Sequence, residues 1–88
     1  MRWLYYQHFS AVAGDTLAFE AWPPRLKTGW TLHEWLLVQW GTPIGELWDL
    51  ERLGEVCARE GRWSFMLTSA PLRVKGGIGS NPNVVAIL

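Results

Sequence analysis

The side chains best suited to bind a metal or to act as a nucleophile are few: two histidines, His8 and His33, and one cysteine, Cys57. The chain contains no His-x-x-x-His pair, no Cys-x-x-Cys pair and no EF-hand loop, so spacing alone defines no complete metal site. Cys57 has no partner for an intrachain disulfide, which favours a reducing compartment. Its place on the apolar side of a predicted helix favours packing over reactivity of the thiol.

His33 and Glu46 come closest to forming part of a metal site. His33 is expected in the first turn of a helix, and Glu46 follows the turn at residues 41–43. The helix and turn between them can fold back and bring both side chains to one pocket. An imidazole and a carboxylate together suit Zn or Mn, although a catalytic site needs about three protein ligands. From the spacing alone, a helix-start histidine and a solvated carboxylate remain the simpler interpretation.

The glycine-rich stretch Gly76–Ser80 has the composition of a phosphate-binding loop but not its context. It lacks the Walker lysine after its last glycine, and it precedes a predicted strand where a phosphate loop precedes a helix. We therefore expect a tight turn at this position. The sequence also contains no Gly-x-Ser-x-Gly nucleophile elbow.

The composition narrows the class of protein. With 88 residues the chain suffices for one small domain. Its 8 basic and 8 acidic residues give a net charge of 0, without the basic excess typical of nucleic-acid binding. The hydrophobic content of 49% argues against disorder, and no apolar run reaches membrane-spanning length. We expect a cytoplasmic protein that binds neither nucleic acid nor membrane.

The elements that would position His33 and Glu46 begin with a short aromatic helix at residues 2–12 and a strand at residues 16–22. A polar loop is expected at residues 25–29. Thr31 and Glu34 have the spacing of a capping box, and Trp30 and Trp35 that of a hydrophobic staple. These signals, with Gly41 as the residue that ends the helix, predict a helix over residues 32–40.

The C-terminal half reads as one helix followed by strands. Asp49 is the expected N-cap of a helix that ends at Gly61, with an extended link at residues 42–48 before it. Strands are expected at residues 62–70, 72–74 and 84–88. The predicted order is α-β-α-α-β-β-β, which indicates an α/β fold, with α+β as the alternative.

Four segments, taken in order, resemble the cyclase family of metal-dependent hydrolases, which includes bacterial-type kynurenine formamidases and isatin hydrolases. The first is Ala11–Thr16 with Phe19–Pro23. Leu32–Leu37 resembles the family's His-x-x-Leu-Leu helix, and Gly41–Leu47 resembles its Gly-Ile-Pro-Ile-x-Glu-Asn segment. Ser69–Ser80 is similar to its closing Pro-Leu-x-x-x-Gly-Gly-x-Gly-Ser stretch. The similarity extends over essentially the whole chain.

The resemblance implies a swivelling β/α fold and hydrolysis of a small-molecule amide. Two divalent metals, Zn or Mn, would activate a water molecule, and His33 and Glu46 match two of the family's metal ligands. An arylformamide of the kind met in tryptophan catabolism is the implied substrate class, and a homo-oligomer the implied assembly.

The chain also departs from the family. Leu47 stands where many members have Asn, and the stretch from His33 to Gly41 is longer by one residue. The signature run His-x-Gly-Thr-His-x-Asp-x-x-x-x-His is missing, and it supplies most of the metal ligands. We therefore expect residues 1–88 to be the C-terminal portion of one cyclase-like domain without its N-terminal metal-binding half. We expect such a chain to have little activity alone. A chain that holds a divalent metal is the implied state, and a chain without metal is the alternative.

The 7 tryptophans in 88 residues leave a second function open. Trp35, Trp40 and Trp48 lie near the candidate ligands in sequence and are candidate walls of a substrate pocket, although packing is the simpler role. The alternative is a non-catalytic, Trp-rich interaction module that binds a partner chain. Either function predicts more exposed tryptophan than a complete domain of this size would show.

Overall fold

The computed structural model describes residues 1–24 and 29–88 and contains two compact units, Met1–Asp49 and Leu50–Leu88. Most of the polar loop expected at residues 25–29 lies outside the described residues. The elements are a mixture of helices and short strands, so the predicted mixture of α and β structure is confirmed. In chain order they are α1 (Arg2–Tyr6), β1 (Val12–Ala13), a π-helix (Glu34–Gln39), β2 (Ile44–Gly45), α2 (Leu50–Glu60), β3 (Met66–Ser69) and β4 (Val84–Ile87).

The first unit is built around a short parallel pair of strands. In this pair Val12 is opposite Ile44, and Ala13 is opposite Gly45. Parallel neighbours need a long crossover connection, and here the π-helix lies within that crossover. The segment at residues 42–48, which the sequence predicted to be only an extended link, therefore contains a strand.

The start of the π-helix follows the predicted capping chemistry. The backbone N–H of Thr31 donates to Glu34 Oε2 at 2.7 Å, and the backbone N–H of Glu34 donates to Thr31 Oγ1 at 3.2 Å. The rings of Trp30 and Trp35 lie 4.9 Å apart, as a hydrophobic staple requires. Gly41 ends the helix with a φ of 65°, a left-handed conformation that glycine adopts without steric cost.

The π-helical geometry itself was not predicted. The backbone N–H of Trp40 donates to the carbonyl of Trp35, five residues earlier, at 3.1 Å. This wider turn places side chains five positions apart on nearly the same face, because each turn contains more residues than an α-helical turn. The rings of Trp35 and Trp40 accordingly lie 5.7 Å apart.

Two predictions for the N-terminal region are wrong. The helix expected over residues 2–12 ends at Tyr6, and His8 has a left-handed φ of 55° that a continuing helix could not contain. The strand expected at residues 16–22 is a series of bends, with Phe19 at a φ of 46°. A left-handed residue cannot remain in a ladder of extended backbone, so this segment curves and carries Glu20 away from a strand position.

The second unit contains α2 and an antiparallel hairpin. Helix α2 ends at Gly61 as expected, and its predicted apolar positions Leu50, Leu53, Val56 and Cys57 are less exposed than its charged ones. Strand β3 pairs with β4 so that Met66 is opposite Ile87 and Ser69 is opposite Val84. The strand predicted at residues 62–70 is thus shorter, and residues 72–74 form no strand.

Few side chains are fully buried among the described residues. Leu36 and Cys57 are each about 1% exposed, and the burial of Cys57 agrees with a packing role. Among the described residues no helix is long and apolar enough to cross a bilayer.

Candidate metal centre

Three segments of the first unit meet at His33: the bends at residues 15–20, the start of the π-helix and the residues that follow β2. Hydrogen bonds continue beyond the two-residue ladder. The amide of Gly14 donates to Gly45 O at 3.0 Å, and the amide of Leu47 donates to Thr16 O at 3.2 Å. These bonds hold Glu46, which lies between Gly45 and Leu47, beside the bent segment.

The two predicted metal ligands are in contact. His33 Nε2 lies 3.1 Å from Glu46 Oε1, and their side chains are 36% and 33% exposed. A partly exposed pair of this kind can be reached by an ion or a small molecule from solvent. The sequence interpretation that the helix and turn fold back on each other agrees with this geometry.

Glu20 is a member of the site that the sequence interpretation missed. Its Oε1 atom lies 2.5 Å from His33 Nδ1, and its Oε2 atom accepts a hydrogen bond from the amide of Leu32 at 3.0 Å. Its side chain is only 10% exposed. No local signal marks this role, because a carboxylate in a segment that reads as a strand is expected to face water.

Glu20 and His33 each have a shifted pKa in this arrangement. The hydrogen bond with Glu20 raises the pKa of His33 above its usual value; burial opposes this rise, and Glu46 adds to it. Burial raises the pKa of Glu20, but hydrogen bonds from the His33 ring and from the amides of Leu32 and His33 outweigh it. The resulting pKa of Glu20 is below its usual value. The arrangement therefore favours a charged His33 between two carboxylates.

The separation of the two candidate donors fits ligands of one metal ion. Two ligand atoms each about 2.1 Å from a metal are about 3.0 Å apart at an octahedral angle and about 3.4 Å apart at a tetrahedral one. The 3.1 Å between His33 Nε2 and Glu46 Oε1 lies within that range. An imidazole nitrogen with a carboxylate oxygen also suits Zn or Mn. The described residues contain no group of three or more side chains that could hold a metal ion, so His33 and Glu46 by themselves fall short of a complete set of ligands.

Trp48 packs against the backbone next to Glu46. Its indole packs against Gly45 so closely that a Cβ atom there would lie 2.6 Å from indole atoms. Its Nε1 atom is buried without a hydrogen-bond partner among the described residues. Glycine at position 45 is thus required by a close approach.

Trp35 and Trp40 line a cavity of about 560 Å³, but neither His33 nor Glu46 borders it. Tyr5 of α1 completes an aromatic wall, with its ring 5.4 Å from that of Trp40. A second cavity of about 440 Å³ includes Glu20 in its lining. The other lining residues of this second cavity are Thr16, Leu17, Ala18 and Trp22.

The glycine-rich stretch lies apart from this site in sequence and forms an exposed turn. The amide of Gly77 donates to Val74 O at 3.1 Å, and Gly76 has a φ of 77°. The expectation of a tight turn is confirmed. No protein-family model, curated protein or solved structure matches this chain.

Proposed function

We propose that this chain supplies half of the divalent-metal site of an amide-hydrolysing enzyme of the cyclase type, with His33 and Glu46 as ligands. The observation that carries the proposal is the 3.1 Å contact between His33 Nε2 and Glu46 Oε1, made by residues 13 positions apart. The resemblance assigns these same two positions to the metal, independently of their geometry.

A bound Zn or Mn ion would lower the pKa of a water molecule and polarise the amide carbonyl. The residues of this chain would hold the ion in place and offset its positive charge. His33 would offer a nitrogen donor from a helix start fixed by Thr31 and Glu34, and Glu46 would offer a carboxylate that offsets the charge of the ion.

The surroundings of Glu20 suit an apolar or aromatic amide. The cavity that it borders is also lined by Leu17 and by Trp22, which is 77% exposed. Such a wall favours an aryl group over a charged one. Neither His33 nor Glu46 lines this cavity or the one walled by Trp35 and Trp40. The Glu20 cavity is the better candidate, because Glu20 lines it and contacts the His33 ring.

Metal analysis of the purified chain tests this proposal. After incubation with Mn or Zn and removal of free ion, we expect metal in a fixed ratio to protein, and loss of that metal in His33→Ala. His8→Ala is the matched control, because His8 is the other histidine and lines the cavity bordered by Trp35 and Trp40. We also expect little hydrolysis of an arylformamide by the chain alone, because two ligands fall short of a catalytic set.

A second candidate function is the non-catalytic interaction module that binds a partner chain, and the exposed apolar surface favours it. The tryptophans at positions 3, 22, 30 and 63 are exposed, as are all four residues of β3. A two-stranded hairpin is marginally stable alone, and apolar residues on both faces are typical of strands covered on both sides.

The same measurements separate the two functions. A metal-free oligomer with no affinity for Zn or Mn, observed by light scattering after gel filtration, would favour the interaction module. Bound metal that depends on His33 would favour the half-site. Robust amide turnover by the isolated chain would contradict the expectation that it is inactive alone.

A further inference from the structure

The carboxylate of Glu20 binds the backbone and the ring of His33 at once. Oε1 lies 2.5 Å from His33 Nδ1 and accepts the His33 amide at 3.4 Å, while Oε2 accepts the Leu32 amide at 3.0 Å. One side chain thus fixes both the position of the helix start and the orientation of the imidazole.

The two carboxylates compete for the proton of a neutral His33 ring. A neutral imidazole carries one proton, either on Nδ1, facing Glu20, or on Nε2, facing Glu46. Glu20 is the closer acceptor, at 2.5 Å against 3.1 Å, and its side chain is less exposed, at 10% against 33%. Hydrogen bonds to a charged acceptor are stronger where water screens them less, so the Nδ1 proton is favoured.

The location of that proton decides whether Nε2 can bind a metal. A histidine binds metal through the lone pair of a neutral ring nitrogen, and the hydrogen bond at the other nitrogen sets which one is available. A proton on Nε2 would point at Glu46 and occupy the lone pair that a metal needs. A proton on Nδ1 leaves that lone pair directed toward the Glu46 carboxylate.

We propose that Glu20 is a positioning residue that holds neutral His33 as the Nδ1–H tautomer, with Nε2 presented beside Glu46 as a metal donor. This inference rests on the proposed function, since it names the metal as the reason for the tautomer. Glu20 itself contacts the Nδ1 side of the ring and is therefore not one of the ligands. Outer carboxylates of this kind also make the histidine a stronger donor.

The test combines imidazole NMR with calorimetry on the full 88-residue chain. Long-range proton–nitrogen spectra of histidine-labelled protein at alkaline pH report which nitrogen of His33 carries the proton. The variants are Glu20→Ala, which removes the acceptor, and Glu20→Gln, whose amide oxygen can still accept. Glu55→Ala is the control, because Glu55 is an exposed carboxylate of α2 in the second unit. Circular dichroism verifies the fold of each variant.

In the wild-type chain and in Glu55→Ala and Glu20→Gln we expect the proton on Nδ1. In Glu20→Ala we expect it to move to Nε2, with Mn or Zn affinity reduced about 10- to 100-fold. A persistent Nδ1 proton and unchanged metal affinity in Glu20→Ala would overturn the inference. A proton that moves as expected in a chain that binds no metal would instead overturn the proposed function and leave the hydrogen-bond assignment intact.

Discussion

His33 Nε2 and Glu46 Oε1 lie 3.1 Å apart, although the two residues belong to different elements of the first unit. The contact depends on the capped start of the π-helix, which holds His33, and on the hydrogen bonds that extend β2 past Gly45, which hold Glu46. Two separate sets of hydrogen bonds, one at the helix start and one beyond β2, therefore bring the His33 nitrogen and the Glu46 oxygen together.

The stability contributed by the Glu20–His33 pair should depend on pH in both directions. The raised pKa of His33 gives stability that is complete below its ordinary pKa of 6.5 and is lost as pH rises through the raised value. The lowered pKa of Glu20 gives stability that is complete above its ordinary pKa of 4.5 and is lost as pH falls through the lowered value. The pair should therefore stabilise the chain most between pH 4.5 and 6.5.

Urea denaturation of the wild-type chain and of Glu20→Gln over a range of pH measures this effect. The difference in free energy of unfolding should be largest in that window and should shrink as His33 loses its proton. A difference that stays constant from acid to alkaline pH would contradict the assigned ion pair.

Leu47 is a position where a smaller residue should stabilise the chain. Its φ of 57° is left-handed and its side chain is 67% exposed, so the strain is not offset by full burial. Leu47→Gly should raise the free energy of unfolding by about 0.5 to 1 kcal/mol, and Leu47→Asn should act in the same direction. The family that the chain resembles often has Asn here, and a left-handed backbone gives a physical reason for it.

Thermal or urea denaturation checks the Leu47 prediction, with Leu17→Gly as the control. Leu17 is also exposed, at 76%, but its φ is not left-handed, so glycine there should bring no gain. Equal effects at both positions would argue against strain at Leu47.

Gly45 should tolerate no side chain, because Trp48 occupies the space. A Cβ atom at position 45 would lie 2.6 Å from the indole, so Gly45→Ala must displace Trp48. We expect a loss of about 1 to 3 kcal/mol in the free energy of unfolding. The matched control is Gly54→Ala in α2, where an added Cβ atom would meet nothing within 4 Å beyond its chain neighbours and the nearby backbone of the helix. Alanine there should stabilise the chain by about 0.5 to 1 kcal/mol.

If the packing is as described, urea denaturation should show a lower free energy of unfolding for Gly45→Ala and a higher one for Gly54→Ala, each relative to the wild type. A second substitution, Trp48→Leu, should recover part of the stability lost in Gly45→Ala, because it removes the clashing ring. A Gly45→Ala chain as stable as the wild type would show that the indole does not lie over Gly45.

The parts of the site that the sequence predicts are those set by local chemistry. Thr31 and Glu34 have the three-residue spacing that indicates the start of a helix, and Gly41 indicates its end. The position of His33 at the helix start can therefore be predicted from its neighbours in sequence. Glu20 could not be found in this way, since its partners are amides and a ring 12 and 13 residues away. Its own segment alternates like a strand, and only the left-handed turn at Phe19 prevents one.

The π-helix escaped prediction for a related reason. Capping signals fix where a helix begins and ends, but the number of residues in each turn depends on packing between those ends. The resemblance gives a stretch from His33 to Gly41 that is longer by one residue than in typical formamidases, and a π-turn contains one more residue per hydrogen-bonded ring than an α-turn. A π-turn would take up that extra residue without moving either end of the helix.

The most direct test of the half-site is a double-mutant cycle of metal affinity. Calorimetric titration of Mn or Zn into the wild-type chain, His33→Ala, Glu46→Ala and the double variant gives the four values. Two ligands of one ion should each lower the affinity by about tenfold or more when removed, and the double variant should be little worse than either single one. Wild-type affinity in both single variants would contradict the claim that His33 and Glu46 bind the metal together.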